Sequence, residues 1–276
     1  MLTVADTLQQ AQRRIAGAEA RIEAEILLCH ALGRSRAWLV AHSGHALDAT
    51  STAAFEALVA RRVRGEPVAY LTGSRGFYGL DLRTTPDVLI PRPETELLVD
   101  LALQRMPADA GCAVADLGTG SGAIALAIAT ARPRARIVAI DASAAALAIA
   151  RGNAARLGLR DVAFVRGDWC APFGDGAFDV IVANPPYIAA GDPHLHTGDL
   201  RFEPRSALVS GVDGLDAIRV IVRDARAHLH PGGWVLVEHG WEQGAAARGL
   251  LTAGGYRDVF TARDLEQRER VSGGRA

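Results

Sequence analysis

The stretch CAVADLGTGSGAIALAIATARPRARIVAID, residues 112–141, decides the fold. A short apolar run leads into three glycines, an apolar helical stretch follows, and a second apolar run ends in Asp141. That order reads as strand, glycine turn, helix and strand. The same grammar continues outward. SAAALAIARGNAARLG (143–158) is a helix, and VAFVRGD (162–168) and FDVIVAN (178–184) are strands. DGLDAIRVIVRDARAHL (213–229) is a helix, and GWVLVEHG (233–240) is a strand. Continuously apolar strands interleaved with helices predict a parallel sheet covered on both faces. The last two extended pieces, YRDVFTARD (256–264) and a segment near Val271, lie too close together for a crossover helix. They are expected to pair antiparallel, closing the sheet with a hairpin.

Upstream the pattern is all-helical. Thr3 with Asp6 forms a capping box ahead of one helix. EARIEAEILLCHALG (19–33) places Ile22, Ile26 and Leu27 on one face and stops at Gly33. Ser35 caps RAWLVAHSG, and DATSTAAFEALVARRVRG (48–65) stops before Pro67. Residues 1–75 are therefore read as a small helical domain and 94–276 as the α/β domain. Residues 76–93, with the extended pieces FYGLDL and DVLI, are read as a hairpin linker. His30, His42 and His45 are read as surface or packing residues. Arg92, between two prolines, sits on a stiff backbone: either a rigid linker or a loop folded against a site.

The 276 residues are 49% hydrophobic and 22% charged, with a net charge of -1. Nothing global draws such a chain to nucleic acid, although a local basic patch would not show in that sum. Cys29, Cys112 and Cys170 are far apart and form no CxxC pair, which suggests free buried thiols in a reducing compartment. His194 and His196 have ligand-like spacing without a supporting carboxylate or cysteine motif, so no metal is expected. The start MLTVADTLQQAQRRI lacks signal-peptide grammar, and charges break every apolar stretch before membrane-spanning length. A cytoplasmic protein without a membrane association is expected.

Open parallel sheets bind ligands beyond the carboxyl ends of their strands. Here the first strand ends in DLGTGSGA, where Gly118, Gly120 and Gly122 allow close backbone approach. The second ends at Asp141, which can accept two ribose hydroxyls. At the end of the third, Asp168 can accept from an exocyclic amine, and Trp169 can lie along a base. Together they suggest a nucleoside pocket. GTGSGA also fits a dinucleotide fingerprint, but no residue after the fourth strand suits hydride chemistry. An S-adenosylmethionine site explains the same residues, with Asp116 or loop carbonyls, around Thr119, for the amino group.

The fourth strand ends in Asn184-Pro185-Pro186-Tyr187. A planar NH2 group has two protons to give and a delocalised, weakly nucleophilic lone pair. The Asn184 side-chain oxygen and the Pro185 carbonyl can accept those protons, and Tyr187 can stack on the flat face. Such alignment aims the nitrogen at a methyl donor and favours the charge that develops. The motif alone does not separate adenine from an amide.

With GEPVAYLTGSRGFYG (65–79), LIPRPETE (89–96), DLGTGSG (116–122), GDW (167–169), NPPYI (184–188), EPRSAL (203–208) and GVDGL (211–215), the chain resembles a known family. These are the protein N5-glutamine methyltransferases of peptide-chain release factors, the PrmC/HemK group. The resemblance implies an S-adenosylmethionine-dependent, Rossmann-like seven-stranded sheet behind a helical substrate-recognition domain. It implies methyl transfer to the glutamine of the Gly-Gly-Gln loop of class 1 release factors, leaving S-adenosylhomocysteine. Asn184, Pro185 and Tyr187 would be catalytic. The cofactor would meet Asp116, Gly118, Thr119, Gly120, Gly122, Asp141, Asp168, Trp169 and Asn184. Phe77, Arg92, Pro93 and Asn184 to Tyr187, Pro186 included, would meet the substrate. A monomer without a nucleic-acid substrate is implied. In RDLEQRER (263–270) the chain departs from the family, with Gln267 where a glycine usually follows Asp-Leu. Two other readings remain: an adenine-N6 methyltransferase of DNA or RNA, and a non-catalytic cofactor-binding protein of the translation apparatus.

Overall fold

The computed structural model describes residues 2–107 and 111–276. Its chain forms two compact units, Met1–Ser74 with His196–Phe202, and Arg75–Leu195 with Glu203–Ala276.

The first unit holds helices α1 (Val4–Ile15), α2 (Ala20–Leu32), α3 (Arg36–Ala41), α4 (Ala49–Val63) and α5 (Val68–Thr72). The capping box is formed: Thr3 and Asp6 satisfy each other's backbone N–H groups. Ser35 and Asp48 cap α3 and α4 by accepting from Trp38 N and Ser51 N. The core gathers Val4, Leu27, Leu28, Phe55 and Val59. On α2 the expected face is wrong in part, since Ile22 and Ile26 are exposed. At 100° per residue the buried stripe runs through Ala20, Ala24, Leu27 and Leu28, and the two isoleucines lie outside it. Two of the three arginines of ARRVRG are engaged within the unit: Arg61 pairs with Glu66, and Arg62 with Glu23 and Asp199, while Arg64 is exposed. Trp38 stacks on His42 and meets His45 edge-on, so these histidines pack.

Strands β1 (Ser74–Phe77) and β2 (Leu80–Arg83) form a hairpin, but one whose turn falls inside FYGLDL, so that piece is not a single extended segment. Tyr78 and Gly79 turn it, both at positive φ, the geometry that matches strand twist. DVLI is not a strand: it follows a turn bonded from Val88 N to Thr85 O and has no ladder partner among the described residues.

The second unit continues through α6 (Glu96–Gln104), β3 (Ala113–Leu117), α7 (Ala123–Ala131), β4 (Arg136–Asp141), α8 (Ala144–Leu157), β5 (Val162–Arg166) and β6 (Phe178–Ala183). It ends with α9 (Asp216–His228), β7 (Leu229–Glu238), α10 (Gly244–Ala253), β8 (Arg257–Arg263) and β9 (Glu269–Arg275). Seven strands lie in the order β5-β4-β3-β6-β7-β9-β8. The first five are parallel, and β9 runs antiparallel to both its neighbours, as the sequence predicts. Alternate residues feed opposite layers. Val114, Val180, Val182 and Leu236 pack with α6 and α7 on one face. Ala115, Ile181, Val235 and Val237 pack with α9 and α10 on the other. Among the described residues no helix is long and apolar enough to cross a membrane. Cys112 and Cys170 are buried as expected, whereas Cys29 is half-exposed; all three are free.

Gln267 adopts φ 63°, a conformation that glycine enters without steric cost. The turn closes without glycine because Asp264 receives Gln267 N on its carbonyl and Arg268 N on its carboxylate, each at 2.9 Å. Gln267→Gly should stabilise the protein by about 0.5 to 1 kcal/mol, the relieved left-handed cost less the added freedom of the unfolded chain. Urea unfolding measures this, and a loss of stability in the variant would refute it.

Candidate functional site

Strand β3 pairs with β4 on one side and with β6 on the other. The chain therefore winds in opposite directions from this point, which opens a crevice at the carboxyl ends of β3 and β6. A cavity lies there, walled by Gly118, Thr119, Gly120, Asp141, Asp168, Trp169, Asn184 and Pro186, with Phe77 and Arg92. Those ten sequence-predicted residues come together. Asp116, Gly122, Pro93, Pro185 and Tyr187 are not part of this wall.

The glycine turn is pinned at several points. Gly118, Gly120 and Gly122 all have positive φ. A Cβ on Gly120 would meet nothing within 4 Å, because that face opens outward. Thr119 N donates to Ile140 O at 2.8 Å, and Gly120 N to Asp141 Oδ2 at 2.9 Å. Asp141 Oδ1 accepts from Ser143 N at 2.8 Å. Each oxygen of Asp141 thus uses one lone pair on backbone and keeps another for a ligand. Asp116 is fully buried behind the loop, where its Oδ2 accepts from Thr119 Oγ1 at 2.6 Å and from Ala125 N. Its Oδ1 has no partner, and burial raises its pKa to about 6. It acts on the loop from behind rather than at the wall. Gly122 packs closely, since a Cβ there would lie 3.0 Å from Leu126 and 3.2 Å from Ala150.

Trp169 has φ 45°, rare for a bulky residue and costing on the order of 1–3 kcal/mol. The conformation carries its ring to Gly118, where an added Cβ would lie 3.2 Å from the indole. Any side chain at 118 would displace the aromatic wall.

Asn184 follows β6 directly. Its Nδ2 donates to Thr95 Oγ1 at 3.1 Å, while its Oδ1 is buried without a partner. A buried acceptor left unbonded is costly, so it marks a place prepared for a donor. Behind it lies Glu238, the last residue of β7 and 1% exposed. Burial raises its pKa to about 7, with Thr95 and Arg270 nearby opposing the rise. The rest of the motif is held by backbone contacts. Gln243 Nε2 donates to Tyr187 O at 3.0 Å, and Gly214 packs so closely on that carbonyl that no Cβ would fit. Ile188 N donates to Leu208 O, and Ser210 N to Ile188 O. Burial raises the Tyr187 pKa, with Glu238, Arg270, Arg92 and Glu94 in its surroundings.

Arg92 is placed by a residue that sequence reasoning passed over. Glu203, its side chain fully buried, pairs with the Arg92 guanidinium and accepts from Ile90 N at 3.0 Å. This folds the proline loop against the cavity, where Arg92 and Pro91 reach the wall, and resolves the open choice for that loop. Pro93 stays exposed at the loop's far side. Thr95 and Glu238 were also passed over. The same question asked of the first four strand ends would have found Glu238 at the fifth. Among the described residues no three His, Cys, Asp or Glu side chains cluster as metal ligands.

Two families match the chain: the PrmC N-terminal domain over residues 6–73 and the methyltransferase small domain over 95–201. The chain is 57% identical to the release factor glutamine methyltransferase of Xylella fastidiosa (strain 9a5c), across 92% of this chain and 93% of that protein. It is 54% identical to the protein of the same name from Burkholderia pseudomallei, across 92% and 91%. A solved methyltransferase from Pyrococcus furiosus shares the fold, with a TM-score of 0.54 at 19% identity over 78% of this chain and 96% of that one.

Proposed function

The chain belongs to the release factor glutamine methyltransferase family, and we propose that it methylates the side-chain amide of the glutamine in the Gly-Gly-Gln loop of class 1 release factors. One observation carries this: a buried, unpartnered Asn184 Oδ1 at the wall of a cavity whose other end is built from the glycine turn, Asp141, Asp168 and Trp169.

Those residues fit S-adenosylmethionine. The glycine turn opens its Gly120 face outward, Asp141 has free lone pairs for two hydroxyls, and Trp169 supplies a flat apolar wall. The bound cofactor supplies a methyl group on a sulfonium, which becomes a neutral thioether when the carbon–sulfur bond breaks.

The residues of this chain prepare the nitrogen. Asn184 Oδ1 accepts one amide proton, and the Pro185 carbonyl accepts the other. Both bonds orient the lone pair and strengthen as the nitrogen gains positive charge. The new nitrogen–carbon bond forms, and the now acidic nitrogen releases a proton to solvent. Tyr187 packs on the amide plane. Phe77, Arg92 and Pro186 border the substrate entrance, Pro93 belongs to the loop that carries Arg92 there, and Asp116 holds the glycine turn through Thr119. The helical unit serves as the recognition domain for the release factor. We place this work in the cytoplasm, by a monomer, without a metal and without a nucleic-acid substrate. The pairing of Arg61 and Arg62 with carboxylates supports the last point, since phosphate binding would have to displace those partners.

Labelled S-adenosylmethionine, offered with a purified class 1 release factor, should mark the intact factor and not one whose loop glutamine is replaced. Duplex DNA should stay unlabelled. Label on DNA would move the acceptor to adenine, and no label on any of them would favour a binding role without catalysis.

A further inference from the structure

We infer that Gln243 is a positioning residue for methyl transfer: its carboxamide holds the peptide bond that follows the two prolines, and so sets where the acceptor groups of Asn184 and Pro185 stand. This deepens the proposed function and rests on it for the identity of the acceptor.

Pro185 and Pro186 carry no N–H, so neither can donate a hydrogen bond that anchors this stretch. The Pro185 carbonyl is assigned to the substrate. The stretch must therefore be held at its two ends. At one end Ala183 lies in register with Leu117 and Val237 on the strands to either side. At the other end is the peptide bond between Tyr187 and Ile188, and both of its polar groups are taken. Tyr187 O accepts from Gln243 Nε2 at 3.0 Å, and Ile188 N donates to Leu208 O at 2.8 Å. Holding both groups fixes the plane of that peptide. Two proline rings with nearly fixed φ lie between the ends, which leaves few torsions to absorb a shift before it reaches Asn184.

The Gln243 carboxamide can face only one way. Gly240 N donates to its Oε1 at 2.9 Å, so its Nε2 turns to two carbonyls, Tyr187 O at 3.0 Å and Asp213 O at 3.3 Å. A backbone N–H only donates and a backbone carbonyl only accepts, so the flipped amide would lose every one of these bonds. The residue is itself anchored. Gln243 N donates to Gly240 O, and Gln243 O accepts from Ala247 N in the first turn of α10, each at 2.9 Å. Glycine at 214 leaves room for the carboxamide to meet the carbonyl: a Cβ there would lie 2.2 Å from Tyr187 O and 2.7 Å from Gln243 Nε2. One side chain thus joins the chain leaving β7, the turn ahead of α9 and the stretch that carries Asn184.

The test uses Gln243→Glu and Gln243→Met in the full chain. Gln243→Glu keeps the length and the oxygen that accepts from Gly240 N, but it loses the NH2 and sets a carboxylate against two carbonyls. Gln243→Met loses both polar ends. A residue that only received Gly240 N ahead of α10 would leave Gln243→Glu near parental and Gln243→Met impaired. Both variants should instead lower kcat by about 10- to 100-fold, with cofactor affinity changed less than about threefold and KM for the release factor changed less than kcat. In an Asn184→Ala background, Gln243→Glu should cost less than about threefold more, because both changes act on the same acceptor geometry. Independently of turnover, amide hydrogen exchange read by NMR should show the Ile188 N–H losing protection by about tenfold or more in Gln243→Glu, while the Gly240 N–H keeps its own. Unchanged Ile188 exchange, a Gln243→Glu kcat within about threefold of the parent, or a loss that persists in full without Asn184 would overturn the inference. So would cofactor affinity lost in step with kcat, since the residue would then support the fold at large. A parent that labels no release factor would defeat the proposed function instead, and the exchange comparison would still decide whether Gln243 holds the peptide.

Discussion

Asn184→Ala should lower kcat by about 100- to 1,000-fold while leaving the dissociation constant for S-adenosylmethionine within a few-fold of the parent. Among the described residues, the substitution removes a buried side-chain oxygen at the wall that lacks a donor. It leaves untouched the bonds that shape the glycine turn, from Thr119 to Ile140 and from Gly120 to Asp141. An acceptor that meets the substrate nitrogen is worth most as that nitrogen becomes positive, so the loss belongs in kcat. Asn184→Asp sharpens the test. It keeps an oxygen toward the cavity but replaces the NH2 that donates to Thr95 with a second oxygen, and it brings a negative charge into a buried place. That variant should be no better than alanine. Single-turnover rates beside titration calorimetry make the measurement, and an alanine variant with near-parental turnover would remove the basis of the proposed chemistry.

Asp141→Ala should weaken cofactor binding by about 100-fold or more, the combined effect of losing two charge-assisted ligand bonds and disturbing the turn that carries them. Its carboxylate holds Gly120 N and Ser143 N, so it joins the glycine turn to the start of α8. Asp141→Asn divides the two contributions. An amide can accept at only one oxygen, so one of the two backbone donors loses its partner while bulk is kept. The expected order of affinity is parent, then asparagine, then alanine, with kcat at saturating cofactor falling less than affinity. A dissociation constant unchanged in the alanine variant would contradict the ribose assignment.

Much of this protein is legible before it folds. Strand and helix order from Cys112 onward follows from apolar runs broken by glycine and acid, and the closing hairpin follows from spacing alone. Asp141, Asn184 and the three glycines could be found by asking what stands where each strand stops, because the crevice of an open parallel sheet has to lie there. The capping box at Thr3 and the cap at Ser35 were equally local, since both partners lie within one helical turn.

The errors have a common origin. Ile22 and Ile26 satisfy a local count of apolar residues, yet a helix buries whichever stripe meets its neighbours, and α2 meets them along Ala24, Leu27 and Leu28. DVLI has the composition of a strand, but among the described residues it joins no sheet.

By itself, then, the sequence determined the alternation of layers, the place of the crevice and the residues at four of its strand ends, because each depends on periodicity and local backbone preference. The tertiary structure alone decided what stands behind those residues. Glu203 lies 111 positions from Arg92, and Thr95 lies 89 positions from Asn184. No periodic pattern links segments so far apart. They meet because the sheet brings strand ends into register and excludes water there, and a polar group buried in such a place must find its partner across the fold.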